Sequence, residues 1–408
     1  MKFNLIPLKN GLENVAGFNF GGGKCGFKKN GENDLAFIAA SEPVDVEAVF
    51  TTNRFAAAPI RHFLKTKGAR ESFRTNFVLM NSKNANAMTG EAGVGDIEEI
   101  FARLGGLENF ANFRLVNPLM SSTGVIGYRL DTEAIVKAAA RLDLSARNSD
   151  AAVRGIMTTD SFKKELAFKV ELLGEAGEVE GEFHIAAICK GAGMINPAFA
   201  TMLCFVLTDA NIPQERMKAA LNAAAAQSFN AVSVDGDTST NDTLMLLTSR
   251  RGAYCEEAFE FALNTLTKQL ALMLVEDGEG SSKVVAFEVS GARDAREAEI
   301  AAKALSNSLL VKTALFGEDP NWGRIASTIG ASGVECSEEK LRIFYDSVLV
   351  YDSLHPQLTP QSEAAAHKVM QKKSYKITCE LGVGNGSFTA FGCDLGHKYV
   401  EINSDYRS

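Results

Sequence analysis

A layered α/β fold, with helices outside and sheets stacked within, is what this 408-residue sequence predicts, and three observations carry the expectation. Two short runs, MLCFVL (202–207) and LMLL (244–247), are apolar on every residue, so strands made from them must be covered on both faces. Four longer stretches have the 3.6-residue apolar period of amphipathic helices and fall between strand-like runs. Thirty-five glycines against nine prolines fit the tight turns of a sheet-rich enzyme better than a helix bundle.

In order along the chain, the helical patterns cover residues 131–144, 213–229, 256–275 and 295–315. Pro213 stands near the first turn of the second, and Asp277-Gly278 follows the third, as helix starts and stops should. Strand-like runs cover 77–80, 166–173, 183–189, 202–208, 243–248, 284–289, 341–351, 375–381 and 387–391. The polar stretch 174–182 reads as a hairpin turn between two antiparallel strands. No internal repeat or low-complexity segment interrupts the pattern. The length suits two or three domains, or one large layered unit.

Composition narrows the function. A hydrophobic content of 46% and a charged content of 23% are those of a globular protein. A net charge of -8 argues against nucleic acid or an anionic membrane as partner. No window approaches the ~20 apolar residues of a membrane span, and the N-terminal residues lack a signal-peptide core, so a cytoplasmic protein is expected. Seven cysteines without a CxxC pair read as reduced, mostly buried thiols.

Several motifs have plain readings. GGGKCG (21–26) and GVGNG (382–386) lack the order of a phosphate loop and read as turns. The acidic cluster VDGDTSTND (234–242) could hold a divalent cation through Asp235, Asp237 and Asp242, or could be a structural loop beside an active site. Five histidines show neither zinc spacing nor the placement of a triad base.

The junction Ala200-Thr201 is different. A glycine-rich polar stretch there changes, at one threonine, into an apolar run. Thr201 is either a β-branched strand residue that packs, or a hydroxyl nucleophile held at the start of a buried strand. With the preceding bond cut, Thr201 would carry its own base, an α-amine titrating near ~8 where a lysine titrates near ~10.4. The missing histidine base makes that arrangement attractive. SSTGVIG (121–127) offers a candidate oxyanion hole, with the Gly124 backbone and the Thr123 hydroxyl as donors. DGEGSSK (277–283) is a helix-terminal cap unless Glu279 turns into a cleft.

Six blocks in order, MTTDSFKK (157–164), KGAGMINPAFATML (190–203), FNAVSVDGDTSTNDT (229–243), EDGEGSSK (276–283), GEDPNWGR (317–324) and YVEINSDYRS (399–408), resemble the ornithine acetyltransferase family of arginine biosynthesis. The resemblance runs from about residue 120 to the last residue. It implies a precursor that cuts itself between Ala200 and Thr201 into pieces 1–200 and 201–408, which stay associated as one intertwined unit, typically α2β2. The implied fold is an αββα sandwich like that of N-terminal-nucleophile hydrolases but differently connected, with a smaller C-terminal α/β portion. The implied reaction moves acetyl from N-acetylornithine to glutamate through Thr201, without a cofactor or metal. Some members also take acetyl from acetyl-CoA. Carried over by motif, Thr201 is the nucleophile, Thr123 and Gly124 the oxyanion donors, and Thr158, Lys190, Thr201, Glu279, Asn403 and Ser408 the substrate-binding positions. Two other readings compete: an N-terminal-nucleophile amidase or aminopeptidase that gives the acyl group to water, and a non-enzymatic scaffold in which Thr201 only packs.

Overall fold

The computed structural model describes residues 2–196 and 202–405, so Ala200, Thr201 and Ser408 lie outside the described residues. In chain order the strands are β1 (Lys2–Leu8), β2 (Asn19–Gly23), β3 (Leu35–Phe50), β4 (Arg74–Asn81), β5 (Leu119–Ser122), β6 (Lys164–Leu173), β7 (Val179–Lys190), β8 (Leu203–Ala210), β9 (Val232–Ser233), β10 (Thr243–Gly252), β11 (Val284–Ala292), β12 (Arg342–Tyr345), β13 (Val348–Tyr351), β14 (Ser374–Glu380) and β15 (Gly386–Cys393). The α-helices are α1 (Ala58–Lys67), α2 (Gly90–Leu104), α3 (Thr132–Ala139), α4 (Ser149–Ile156), α5 (Gln214–Gln227), α6 (Glu256–Glu276), α7 (Ala295–Asn307), α8 (Leu309–Phe316), α9 (Trp322–Ala331), α10 (Pro360–Met370) and α11 (His397–Asp405).

Nine strands form one sheet in the order β1-β6-β7-β8-β10-β3-β4-β5, with β2 also paired to β3. The sheet folds over on itself along β3. That strand is 16 residues long and breaks register between Ala39 and Val44, where Pro43 interrupts its apolar run. Its first half pairs with β2 and β4 and its second half with β10, while Val44 and Asp45 just past the break still pair with β4. Alternation along the strands then builds three layers of core. Leu203, Phe205 and Leu207 of β8 meet Ala36, Ile38, Val78 and Met80 between the two halves of the sheet. Cys204 and Val206, on the opposite face, pack under α5 and α6. Leu35, Phe37, Phe77 and Leu79 pack under α2 and α3. The result is the αββα order, helices on both outer faces and two stacked layers of strand inside. A second, six-stranded sheet, β13-β12-β14-β11-β15-β9, packs with α7, α9 and α10 and makes the smaller C-terminal α/β portion.

The apolar runs behave as their composition demands: every residue of β8 is buried, as are the first six of β10. These two strands are parallel neighbours at the centre of the large sheet. The hairpin turn expected over 174–182 is shorter, since β7 already begins at Val179 and pairs with the end of β6. Other expectations need correction. The stretch 295–315 is two helices, because Ser308 leaves α7 and caps α8 by accepting from the Val311 N–H. The stretch 341–351 is the hairpin β12–β13, and 131–144 shortens to the eight residues of α3. Gly21 to Gly23 are strand, not turn. A Cβ on Gly22 would stand 2.3 Å from the Ala151 carbonyl oxygen, so glycine lets α4 lie close against β2. The cysteines are free thiols, four of them buried and only Cys336 exposed. Among the described residues, no helix is long and apolar enough to cross a membrane.

Candidate active site

One cavity of about 90 Å³ gathers most of the residues singled out in the sequence. Thr123 and Gly124 reach it from the end of β5, Thr158 from the loop before β6, Lys190 from the end of β7, Glu279 from the turn after α6, and Asn403 from α11. Thr159 lines it as well as Thr158, so position alone does not separate the two. The cavity opens where β4, β5 and β7 end.

Gly124 has φ 134°, and a Cβ there would lie 2.2–2.5 Å from the backbone of Lys83 and Asn84. Only glycine fits. The Thr123 N–H donates to the Asn81 carbonyl, so the free donor at this residue is its hydroxyl. Lys190, 3% exposed, donates from Nζ to Thr123 Oγ1 at 3.2 Å. That bond occupies a lone pair and leaves the hydroxyl hydrogen to aim elsewhere. Burial pulls the Lys190 ammonium below the usual lysine range, against the attraction of Asp160.

A buried ionic cluster supports these walls. Lys164 Nζ lies 2.7 Å from Asp160 Oδ1 and 2.5 Å from Asp277 Oδ2, with Lys164 and Asp160 side chains fully buried and Asp277 3% exposed. Asp160 also accepts from the N–H of Thr158 at 2.9 Å and of Gly191 at 2.7 Å. Asp277 accepts from the N–H and hydroxyl of Ser161. Burial alone would raise the Asp160 carboxyl, but Lys164 and Lys190 outweigh it and bring it down to about 2. Three segments of the cavity, 158–161, 190–191 and 277–279, are thus tied to one ionic centre.

The acidic loop 234–242 is structural. Asp235 accepts from the N–H groups of Met194 (2.6 Å) and Ile195 (2.9 Å), and Asp242 accepts from the Met202 N–H at 3.1 Å. These two carboxylates hold the backbone on either side of the Ala200-Thr201 junction. Burial pushes the Asp242 carboxyl well up, and its Oδ2 has no hydrogen-bond partner among the described residues. No group of three His, Cys, Asp or Glu among the described residues could hold a metal ion.

Glu279 does turn into the cleft. Its Oε2 accepts from Asn403 Nδ2 at 2.8 Å, and its carboxylate would lie 2.6–2.8 Å from a Cβ on Gly193. The second amide hydrogen of Asn403 goes to the Tyr399 carbonyl at 3.0 Å. Lys83, which no quoted motif contains, also lines the cavity, as do Ile126, Met194, Ser239, Thr240 and Asn241, which lie inside the motifs without being named as candidates there. A signal for the first existed: NSKNANA (81–87) is dense in asparagine, the residue that best tolerates left-handed backbone, and Lys83 and Asn86 both adopt it. Asn241 then donates to the carbonyls of Ala85 and Ser122 and joins that loop to the segment that carries Thr123 and Gly124.

The ArgJ family profile matches residues 19–408. The chain belongs to the ArgJ family. It is 54% identical to the arginine biosynthesis bifunctional protein ArgJ of Wolinella succinogenes, with all of both chains covered. It is 40% identical to the protein of the same name from Chlorobaculum tepidum, over 96% of each. Among solved structures, the ArgJ protein of Bacillus halodurans shares 38% identity, covers 50% of this chain and 98% of its own, and superposes with a TM-score of 0.46. ArgJ membership draws together the six blocks of sequence and the fold that encloses them.

Proposed function

We propose that the chain is a self-cleaving acetyltransferase of arginine biosynthesis, moving acetyl from N-acetylornithine to glutamate through an ester on Thr201. Family membership over nearly the whole chain carries the reading. It is supported by the gathering of Thr123, Gly124, Thr158, Lys190, Glu279 and Asn403 around one cavity. In the precursor, the Thr201 hydroxyl attacks the Ala200 carbonyl and the acyl group shifts from nitrogen to oxygen. Water opens that ester, giving pieces 1–200 and 201–408, the second with a free α-amine on Thr201.

The amine then accepts the hydroxyl proton as Thr201 attacks the acetyl carbonyl of N-acetylornithine. The oxyanion is met by the Thr123 hydroxyl and the Gly124 backbone, each donor worth about a hundredfold in rate. Collapse of the adduct breaks the amide bond, and the proton held by the amine goes to departing ornithine. The amine of glutamate attacks the acetyl ester, N-acetylglutamate leaves, and Thr201 regains its proton. Lys190 is the cation for the α-carboxylate common to both substrates. Glu279, already held by Asn403, suits the side-chain ammonium of the donor. The word bifunctional in the relatives' names supports acetyl-CoA as a second acetyl donor.

Incubation of purified protein with N-acetylornithine and glutamate tests the reading. N-acetylglutamate and ornithine are expected in equal amounts, with ping-pong kinetics and two bands on a denaturing gel. Acetate with no N-acetylglutamate would make the enzyme an amidase. A single persistent band from folded protein would leave Thr201 as a packing residue.

A further inference from the structure

Lys83 is the cavity residue that the motifs leave without a role. It lies in the turn between β4 and α2 with φ 73°, a left-handed backbone that a residue bearing a Cβ adopts only under strain. Strain of this kind persists where the surrounding structure enforces it, and here it does. The Lys83 carbonyl accepts from the Val125 N–H at 3.3 Å, and its backbone packs on Gly124. The side chain is half-buried and lines the same cavity as Lys190 and Glu279. Burial, and then the charge of Lys190, lower its affinity for a proton, as expected of two ammonium groups sharing one enclosure.

The charge pattern has a use if the two substrates differ at their far ends. The ionisable side chains lining the cavity among the described residues are two cations, Lys83 and Lys190, and one anion, Glu279. N-acetylornithine presents one carboxylate and one ammonium. Glutamate presents two carboxylates. With Lys190 on the α-carboxylate and Glu279 on the donor's ammonium, the acceptor's second carboxylate needs another donor. Asn403 is poorly suited, since both its amide hydrogens are directed to Glu279 and Tyr399.

We propose that Lys83 binds the side-chain carboxylate of the amino acid that accepts the acetyl group, and so sets the preference for a dicarboxylic acceptor. The proposal rests on the acetyl-transfer reading above. The test compares glutamate with glutamine, its neutral near-isostere, as acceptors for full-length, processed wild type, K83M, K83G and K83R, with N-acetylornithine as donor. Glycine suits the left-handed backbone, so K83G removes the charge without distorting the turn. K83M and K83G should each lower kcat/KM for glutamate by about tenfold to a hundredfold, the loss of one charged hydrogen bond. Glutamine turnover and the KM for N-acetylornithine should move less than twofold, and K83R should keep most of the preference for glutamate. An unchanged glutamate-to-glutamine ratio in K83M and K83G, or an equal rise in the KM for N-acetylornithine, overturns the assignment while leaving acetyl transfer intact. A wild type that transfers no acetyl to either acceptor overturns the reading beneath it.

Discussion

Replacing Lys164 by methionine removes the cation that bridges the two buried carboxylates and leaves Asp160 and Asp277 facing each other across its place. Methionine keeps the length and the apolar stem, so the change is chiefly one of charge. Breaking a buried ion pair from one side costs about 3–5 kcal/mol. Unfolding entropy scales with length, and for 408 residues it is roughly 0.9 kcal/mol per kelvin. The expected fall in Tm is therefore about 4–6 °C. The deficit should depend on pH. In the wild type Asp160 titrates at about 2 against ~3.9 in an unfolded chain, a difference worth roughly 2–3 kcal/mol above pH ~5 that is lost as pH falls towards 2. Without Lys164 the burial of Asp160 favours its protonated form, so lowering the pH to 5 relieves the variant while the wild type still keeps its full contribution. Tm measured at pH 7.5 and pH 5 should show the gap narrowing. A double-mutant cycle with Asp277→Asn should give a coupling of at least about 1 kcal/mol. A K164M protein within 1 °C of wild type at both values, or a gap that widens in acid, would refute the reasoning.

Further outcomes follow from the same geometry. Gly124→Ala places a methyl 2.2–2.5 Å from the backbone of Lys83 and Asn84; kcat should fall at least a hundredfold, and steady-state assay with N-acetylornithine showing less than a tenfold loss would count against an oxyanion role. Gly193→Ala crowds the Glu279 carboxylate and should raise the KM for N-acetylornithine several-fold more than the KM for glutamate, which initial-rate kinetics in both substrates will show. Thr201→Ala should migrate as one uncut chain on a denaturing gel and lack activity, and a normally cut variant would end the mechanism. Asp242, whose carboxyl burial pushes well up, should tolerate Asn, with stability within ~1 kcal/mol. Asp242→Ala strands the Met202 N–H and should cost about 1–3 kcal/mol; urea unfolding that finds the two equal would contradict a stabilising role for that hydrogen bond.

The parts of the fold that were legible in the sequence are those where one physical demand dominates. Strands β8 and β10 declare themselves because burial on both faces excludes polar residues, and α6 because 21 residues of one apolar stripe leave no other assignment. β3 is hidden because it serves two layers. Its face changes at the bend, and Ser41, Glu42 and Pro43 break the alternation that would have announced it. β1 alternates weakly, with exposed and half-covered residues of an edge strand. At the site, Thr123, Lys190 and Glu279 were legible through their motifs, whereas Lys164 and Asp277 were not. A lysine and an aspartate 113 residues apart carry no mark that they will meet in the interior. Lys83 escaped for a related reason, since its value lies in a backbone angle that lysine rarely adopts.

The strand order of the large sheet has a consequence for the protein's history. β8 and β10 come from the second of the two proposed pieces, yet they lie between β7 and β3, both from the first. Such interleaving is laid down while one chain connects everything. Once residues 200 and 201 are parted, the same arrangement has to be found again by two separate molecules, and refolding changes from a first-order process to one that depends on encounter. The processed enzyme would therefore show hysteresis: an uncut Thr201→Ala precursor would recover from denaturant at a rate independent of dilution, and the mature form would recover more slowly the more dilute it is. The molecule would carry, in its inability to reassemble readily, a record of having once been continuous.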